Sequence, residues 1–221
     1  MNAIEDALHG NTYWEAINIM DSCFMIRRIK DIDSLLNNIS DEEFGKDEQL
    51  PYWAEIWPSA VALSEFVVEH KSDFKNRKII ELGCGLGLVG ISATAGGGEV
   101  LFTDNDPRAL HFTQINFKRN FNRPASVQLL DWRHPGKSEL FDAIIAADIL
   151  YEKRWLEPVL DVIEKYLAPG GAAYIAGPDR TVSREIYEMI DAKKWKRQSV
   201  LKRTMVYDKL HKIIINKITK C

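Results

Sequence analysis

The chain alternates short apolar runs with longer amphipathic segments from residue 78 onward. The short runs are rich in β-branched residues and predict strands, whereas the longer segments repeat apolar residues at helical spacing. Strands that alternate with helices predict an α/β fold with a parallel sheet covered on both faces. The predicted strands span residues 78–82, 100–103, 126–130, 141–147 and 172–176. The predicted helices span residues 60–69, 88–95, 107–120, 154–167 and 182–191.

The two ends of the chain depart from this alternation. Residues 196–207 and 209–218 are extended in pattern and meet near Asp208, which predicts a C-terminal hairpin. Residues 1–50 are mixed and acid-rich, and we interpret them as an N-terminal extension to a domain spanning residues 51–221. The elements predicted within the extension are a helix near 11–23, a strand near 24–30 and a short helix near 32–39.

An aromatic stretch that ends at Trp57 and Pro58 joins the extension to the domain. Ser59 follows at once, and its short hydroxyl side chain predicts the N-cap of the helix over 60–69. The aromatic side chains of this stretch could lie over a neighbouring cavity. We therefore expect the extension to cover the functional site.

The strongest functional signal is a glycine-rich turn at the end of the first predicted strand of the sheet. That strand ends in Glu81, and alternating glycines follow, beginning with Gly83 and Gly85. Glycine lets a backbone turn sharply and approach a ligand closely, because it has no Cβ. Asp104 ends the next predicted strand about 20 residues on, where an acid can accept both hydroxyls of a ribose. This arrangement predicts a site for an adenosine-bearing cofactor.

The turn also matches the G-x-G-x-x-G pattern of dinucleotide sites, in residues 85–90. Two features argue against a dinucleotide. A long extension precedes the turn, whereas a dinucleotide unit usually opens its domain. The carboxylate of Glu81 would repel a pyrophosphate but suits a cofactor with a cationic amino-acid end and no phosphate.

Composition narrows the remaining possibilities. The chain has 221 residues, 46% of them hydrophobic and 28% charged, with a formal net charge of −3. This balance predicts no general attraction to nucleic acid or to an anionic membrane. No apolar run approaches the roughly 20 residues of a membrane span, and the first residues do not resemble a signal peptide. Three widely spaced cysteines match no metal site, so we expect a cytoplasmic protein that binds no metal.

These motifs resemble the class I, seven-stranded S-adenosylmethionine-dependent methyltransferases. Residues 81–87 match the first motif of that class, Asp104 its ribose-binding acid, and residues 130–132 the motif beside the adenine. Residues 53–58 and 147–151 add a narrower resemblance to the methyltransferase-16 family, which includes protein-lysine methyltransferases. The resemblance implies a doubly wound sheet in the order 3-2-1-4-5-7-6, with a reversed last strand.

The resemblance also implies roles for individual residues. Asp148 and Tyr151, the Asp-x-x-Tyr after the fourth predicted strand of the sheet, would position the acceptor amine as the catalytic pair. The alternative is that Asp148 only caps the next helix, and the tryptophans of the set could instead be core residues. Asn105 is included although a loop role is simpler. The candidate cofactor-binding residues are Trp57, Glu81, Gly83, Cys84, Gly85, Asp104, Asn105, Asp131, Trp132 and Ala147.

The function that the resemblance implies is methyl transfer from S-adenosylmethionine to a lysine side chain of a protein, by a monomeric enzyme. Methylation of a small amine or of a nicotinamide-like nitrogen is an alternative. A module that binds S-adenosylmethionine without turnover is a further one, and the intact residues 148–151 count against it. The order of residues 177–180 differs from the Asp-Pro-Gly-Arg stretch of the electron-transfer-flavoprotein lysine methyltransferases, so the acceptor protein stays open.

Overall fold

The computed structural model describes residues 10–31, 51–137 and 139–220. Its strands are β1 (Thr12–Ile19), β2 (Ser22–Ile29), β3 (Lys78–Leu82), β4 (Glu99–Asp104), β5 (Ser126–Leu129), β6 (Phe141–Ala147), β7 (Leu167–Gly177), β8 (Lys196–Val206) and β9 (Lys209–Thr219). Strands β3 to β9 form one sheet in the spatial order β5-β4-β3-β6-β7-β9-β8. Neighbours from β5 to β7 are parallel, and β9 is antiparallel to both β7 and β8. Numbered within the sheet, this is 3-2-1-4-5-7-6, which confirms the predicted order.

Helices cover both faces of the sheet. They are α1 (Pro58–Glu69), α2 (Lys71–Phe74), α3 (Leu88–Ala95), α4 (Pro107–Phe121), α5 (Leu156–Tyr166) and α6 (Thr181–Ala192). Side chains alternate between faces along a strand, so Ile79 and Ile80 of β3 enter different apolar clusters. The first cluster includes residues of α1, α3 and α4, and the second includes residues of α5 and α6. None of the helices among the described residues is both long and apolar enough to cross a membrane.

The helix predicted over 11–23 is wrong, because β1 and β2 form an antiparallel hairpin there. The hairpin is held by helix α4, since the backbone N–H groups of Met25 and Arg27 donate to the side-chain oxygens of Asn120 and Asn116 at 3.0 and 2.7 Å. Ile26 is fully buried in the first cluster. The two residues in each contact are about ninety positions apart in sequence, so local sequence patterns could not predict the contacts. The helix predicted over 32–39 lies outside the described residues.

Three other predicted boundaries change. Helix α1 begins at Pro58 with Trp57 as its N-cap, and no side chain caps it, so the prediction of a Ser59 cap is wrong. Helix α5 begins at Leu156, after a 3₁₀ turn over Lys153–Trp155. Strand β7 already begins at Leu167, five residues before its predicted start at residue 172. Its pairing with β6 is irregular between Phe141 and Ala143. The sequence did not predict this early start, because the Pro-Gly-Gly segment argues against a strand.

An ionic cluster around Arg28 joins distant parts of the chain. The guanidinium of Arg28 donates to Glu15 Oε2 at 2.6 Å and to Glu55 Oε1. The hydroxyl of Tyr207, at the turn between β8 and β9, donates to Glu55 at 3.1 Å, and its ring lies 5.6 Å from the guanidinium. The cluster therefore links the N-terminal hairpin, the segment before α1 and the tip of the C-terminal hairpin.

Arg28→Met is expected to lower the free energy of unfolding by about 2 kcal/mol. Removing one partner of a buried ion pair leaves the other charges unpaired, but the side chains of Glu15 and Glu55 are 31% exposed and can partly rehydrate. Urea denaturation followed by circular dichroism measures the change. Arg123→Met, which removes a cation that lies over the rings of Phe117 and Phe121, is the matched control. An unchanged midpoint for Arg28→Met would show that the cluster does not stabilise the fold.

Candidate active site

A cavity opens at the edge of the sheet where β3, β4 and β6 end, the usual ligand position in parallel α/β sheets. Its wall combines the glycine-rich turn, acids at strand ends and aromatic side chains from the segment before α1. The predicted site residues in its lining are Trp57, Glu81, Gly83, Cys84, Gly85, Asp104, Asn105, Trp132, Ala147, Asp148 and Tyr151. The fold thus brings together eleven of the twelve candidates, and Asp131 is the exception.

The glycine-rich turn has the geometry that the sequence predicted. Gly83 and Gly85 have φ values of +64° and +51°, in the left-handed region that favours glycine. A Cβ on Gly83 would lie 3.0 Å from Ile149 and 3.3 Å from Trp132, and one on Gly85 would lie 3.0 Å from the carbonyl oxygen of Trp53. Glycine at these two positions therefore lets the turn pack closely against Ile149, Trp132 and the backbone of Trp53.

Cys84 lies between these glycines and is buried. Burial raises the pKa of its thiol well above the ordinary value, and the nearby Asp104 and Glu81 raise it further. Its Sγ lies 3.4 Å from the hydroxyl of Thr113. A neutral thiol in the cavity wall can pack against a ligand, but it is not a nucleophile at neutral pH.

Glu81 is only 3% exposed and lines the cavity. Its Oε2 accepts a hydrogen bond from the backbone N–H of Gly90 at 3.0 Å. Burial raises the pKa of this carboxyl well above its usual range, and the charge of Asp104 adds to the effect. A cationic group in the cavity would favour the ionised form, because opposite charges at short range lower the pKa of an acid. The site therefore suits a ligand with a positive end.

Asp104 is 6% exposed at the end of β4. Its two carboxylate oxygens accept from the backbone N–H groups of Gly85 at 2.9 Å and Asp106 at 3.0 Å. Each oxygen keeps a lone pair for a further donor, which is what a ribose diol requires. Burial raises the pKa of Asp104 to about 6, even though the hydrogen bonds from the backbone N–H groups oppose the shift.

This pKa predicts a pH dependence of ligand binding. Hydroxyl donors stabilise the ionised carboxylate, so a diol ligand must displace a proton below about pH 6, and its affinity should weaken there by up to about tenfold per pH unit. Because the folded pKa is raised, the ligand-free chain should also lose stability as pH rises from about 4 to about 6. Calorimetric titration between pH 5 and 8 tests the first expectation. Asp104→Asn should lose the inflection near pH 6, and an equal inflection in both proteins would contradict the assignment.

Three tryptophans of the cavity have indole N–H groups without a hydrogen-bond partner among the described residues. The indole N–H groups of Trp53, Trp132 and Trp155 are buried without a hydrogen-bond partner there. Buried donors normally have partners, so these three groups indicate an occupant with acceptor atoms. The rings of Trp132 and Trp155 meet edge to face, with centroids 5.6 Å apart. The indole of Trp57 instead donates to the carbonyl of Tyr52 at 2.9 Å.

Two candidates are less favourably placed than the sequence suggested. Asp131 is not among the residues that line the cavity, and its carboxylate accepts from the guanidinium of Arg133 at 2.7 to 3.1 Å. This hydrogen bonding lowers the pKa of Asp131. Asn105 reaches the lining but is exposed. Their roles as cofactor contacts stay predictions.

Asp148 and Tyr151 both line the cavity, and their catalytic roles stay predictions. Asp148 has φ of +58°, a conformation uncommon outside glycine, and its backbone N–H donates to Ala176 at 2.8 Å. The N-cap of the following 3₁₀ turn is Glu152, so the structure gives no support to a capping role for Asp148. Burial raises the pKa of Tyr151 to about 12, which leaves a neutral phenol at physiological pH.

Two partners of Asp148 escaped the sequence analysis. The hydroxyl of Ser59 donates to Asp148 Oδ2 at 2.8 Å, and the guanidinium of Arg180 donates to Oδ1 at 2.5 Å. Arg180 follows the carboxyl end of β7, and this position could have marked it as a candidate site residue, because parallel α/β sheets bind ligands there. Ser59 gave none, because it lies 89 residues from Asp148. Asp148 and Arg180 also line a second, smaller cavity with Tyr187 and Asn216.

The sheet order, the reversed β9 and the cavity over the glycine-rich turn define a class I methyltransferase fold. The structure of the T. thermophilus 16S rRNA N2 G1207 methyltransferase shares this fold, with a TM-score of 0.63 and 14% identity over 97% of this chain and 52% of that one. A lysine methyltransferase family model matches residues 10–192, and the chain belongs to that family. This confirms the narrower resemblance seen in the sequence.

Two relatives show how far the similarity extends. EEF1A lysine methyltransferase 3 of Mus musculus is 34% identical over 134 residues, covering 58% of this chain and 56% of the relative. Protein N-lysine methyltransferase METTL21A of Danio rerio is 36% identical over 118 residues, covering 50% and 54%. The chain thus spans about half the length of the curated relatives it matches.

Proposed function

We propose that the protein is an enzyme that transfers a methyl group from S-adenosylmethionine to a lysine side chain of another protein. The observation that carries this proposal is the buried carboxylate of Asp148, which lines both cavities and already holds a cation. Family membership and the names of the two relatives support the same reaction and the same kind of acceptor.

The larger cavity fits the cofactor on three counts. Gly83 and Gly85 place backbone without side chains in the cavity wall, Asp104 offers two acceptor oxygens, and Glu81 can face a cationic amino-acid end. The indole N–H of Trp132 is buried and lacks a partner among the described residues, while its ring can lie against a base. When bound, S-adenosylmethionine supplies a methyl group that its positive sulfur activates, so the protein need only bind, align and exclude water.

The acceptor side is organised by Asp148. The side chain of Asp148 is 8% exposed, and its carboxylate forms an ion pair with the guanidinium of Arg180. A lysine ammonium is a cation of the same charge, so it can share or replace this contact and be drawn to the cavity wall. A planar neutral ring would have no such partner, and this favours a lysine over a nicotinamide-like acceptor. The ammonium must first release a proton to water, because only the neutral amine has the lone pair that attacks the methyl group. The strand-end carbonyl of Ala147 and the neutral hydroxyl of Tyr151 can then orient the amine.

The aromatic segment before α1 can exclude water from the reacting atoms. The rings of Tyr52 and Tyr151 meet edge to face at 5.6 Å, and Tyr52 also contacts Trp57 at 6.0 Å. Because Tyr52 is 42% exposed, it lies at the rim of the cavity and not in its interior. A closed rim raises the strength of electrostatic contacts inside, because it lowers the local dielectric. The predicted cytoplasmic location and monomeric state stay predictions.

Labelled methyl transfer tests the proposal. The purified chain is incubated with methyl-labelled S-adenosylmethionine and a cell lysate, and Asp104→Ala serves as the inactive control. We expect the label to run with a protein band and to appear as methyl-lysine after acid hydrolysis. Label in small molecules alone would favour the small-amine alternative. Binding of the cofactor without any transfer would favour the non-catalytic module.

A further inference from the structure

The C-terminal hairpin extends beyond the edge of the sheet at which the site lies. Strands β8 and β9 pair over their whole length, from Lys196↔Thr219 to Val206↔Lys209. Pairing between β9 and β7 stops at Gly177↔Ile214. The part of the hairpin formed by residues 201–213 therefore projects past the carboxyl end of β7, beside the second cavity.

One face of this projection is covered, since it packs against helix α1. Lys202 donates to Glu69 at 2.5 Å, and Thr204 donates to Glu65 at 3.0 Å. Side chains alternate between faces, so the odd positions of β8 and their cross-strand partners in β9 point the other way. We call this second surface the hairpin face. It consists of Leu201, Arg203, Met205, Leu210 and Lys212.

The hairpin face is exposed and apolar to an unusual degree. Leu201, Met205 and Leu210 are 52%, 60% and 55% exposed. Single exposed apolar side chains are ordinary, but large ones that lie next to each other, as Met205 and Leu210 do across the two strands, are typical of an interaction surface. Ile214 and Asn216 continue the same face inward, and Asn216 lines the second cavity. The surface is thus continuous with the acceptor side of the site.

The charges of the hairpin face indicate what it binds. Arg203 and Lys212 lie directly opposite each other across the two strands. Like charges at such a pair are destabilising, and no acidic side chain offsets them among the described residues. An acidic partner would convert this unfavourable pair into a favourable one. Apolar side chains on both sides of the cations require apolar groups in the partner as well.

We propose that the hairpin face binds the acceptor protein through a segment that combines acidic and apolar side chains next to the methylated lysine. The inference rests on the proposed function and names the kind of substrate that the site selects. At about 3.4 Å per residue of strand, Lys212 lies about 14 Å and Leu210 about 20 Å from Asn216. The acidic group of the acceptor should therefore lie nearer its lysine than the apolar group that contacts Leu210 does.

A charge-reversal variant tests the surface. Arg203→Glu combined with Lys212→Glu should lower kcat/KM by about tenfold for the purified protein that the wild type labels, chiefly through KM, because two attractions become repulsions. The cofactor Kd should not change, and neither should transfer to a peptide of the acceptor that is too short to reach the hairpin face. The matched control is Lys75→Glu with Arg77→Glu, two exposed cations next to the amino end of β3 at the opposite edge of the sheet.

A milder variant separates binding from folding. Arg203→Gln removes one member of the like-charge pair, so its thermal midpoint should stay the same or rise while kcat/KM for the intact acceptor falls about threefold. Equal kcat/KM for the reversal variant and its control would overturn the proposal. So would a dimer that the reversal dissociates in sedimentation, or an RNA oligonucleotide that only the wild type binds. If the wild type labels no protein at all, the proposed function itself fails, and this inference fails with it.

Discussion

Asp148→Ala should lower turnover by about 100-fold or more while the cofactor affinity changes by no more than about threefold. The carboxylate lines both cavities, with Ser59 and Arg180 as its partners, so its loss removes the group that we propose positions the acceptor amine. The glycine-rich turn and Asp104, which we propose hold the cofactor, are left in place. Calorimetry for binding and labelled transfer for turnover measure the two effects separately.

Two further variants make this result interpretable. Asp148→Asn keeps the size of the side chain but removes its charge, and it should be nearly as defective as alanine if the charge attracts the ammonium. Ser59→Ala removes one hydrogen bond to a carboxylate that stays charged, so it should reduce turnover by only about tenfold. Equal losses of binding and turnover in Asp148→Ala would remove this residue from the catalytic group.

Asp104→Ala should weaken the binding of S-adenosylmethionine by about 100- to 1000-fold. Two charge-assisted hydrogen bonds to the ribose are lost, each worth roughly 1.5–3 kcal/mol, and part of this is recovered when water fills the space. The backbone N–H groups of Gly85 and Asp106 also lose their acceptor, which loosens the turn beneath the ligand. Calorimetric titration at pH 7.5 measures the effect.

The control for Asp104 must be an acid outside the cavity. Asp161 is exposed on helix α5, and Asp161→Asn should bind the cofactor as the wild type does. Asp104→Asn should fall between wild type and alanine, because its amide retains only one acceptor oxygen. If Asp104→Ala bound the cofactor as tightly as the wild type, the ribose assignment would be wrong.

The sequence predicted the parallel sheet well because its strands are nearly continuous apolar runs. Strand β6 matches its predicted bounds, residues 141–147, and β3 matches residues 78–82. The strand ends also placed Asp104 and Asp148 correctly at one edge of the sheet, since carboxyl ends of parallel strands meet there. Local pattern and topology rules were sufficient for these parts.

What the sequence missed depends on contacts between distant residues. The N-terminal hairpin is held by Asn116 and Asn120, and the Ser59 hydroxyl faces Asp148 where a helix cap was expected. Arg180 reaches Asp148 from 32 residues away. Capping and helix propensities are weak preferences that tertiary contacts override. The division into residues 1–50 and 51–221 stays a prediction, although Ile26 is buried in the same cluster as Val61.

The cluster around Arg28 has a consequence for the order in which the molecule can be completed during translation. Glu15, Arg28 and Glu55 are translated before their partner Tyr207, which is made 152 residues after Glu55. Until that tyrosine emerges, a buried guanidinium and two carboxylates lack the ring and hydroxyl that complete their surroundings. Contacts of such long separation form slowly, since a long loop must close first. A nascent chain should therefore complete this cluster only after the C-terminal hairpin has emerged.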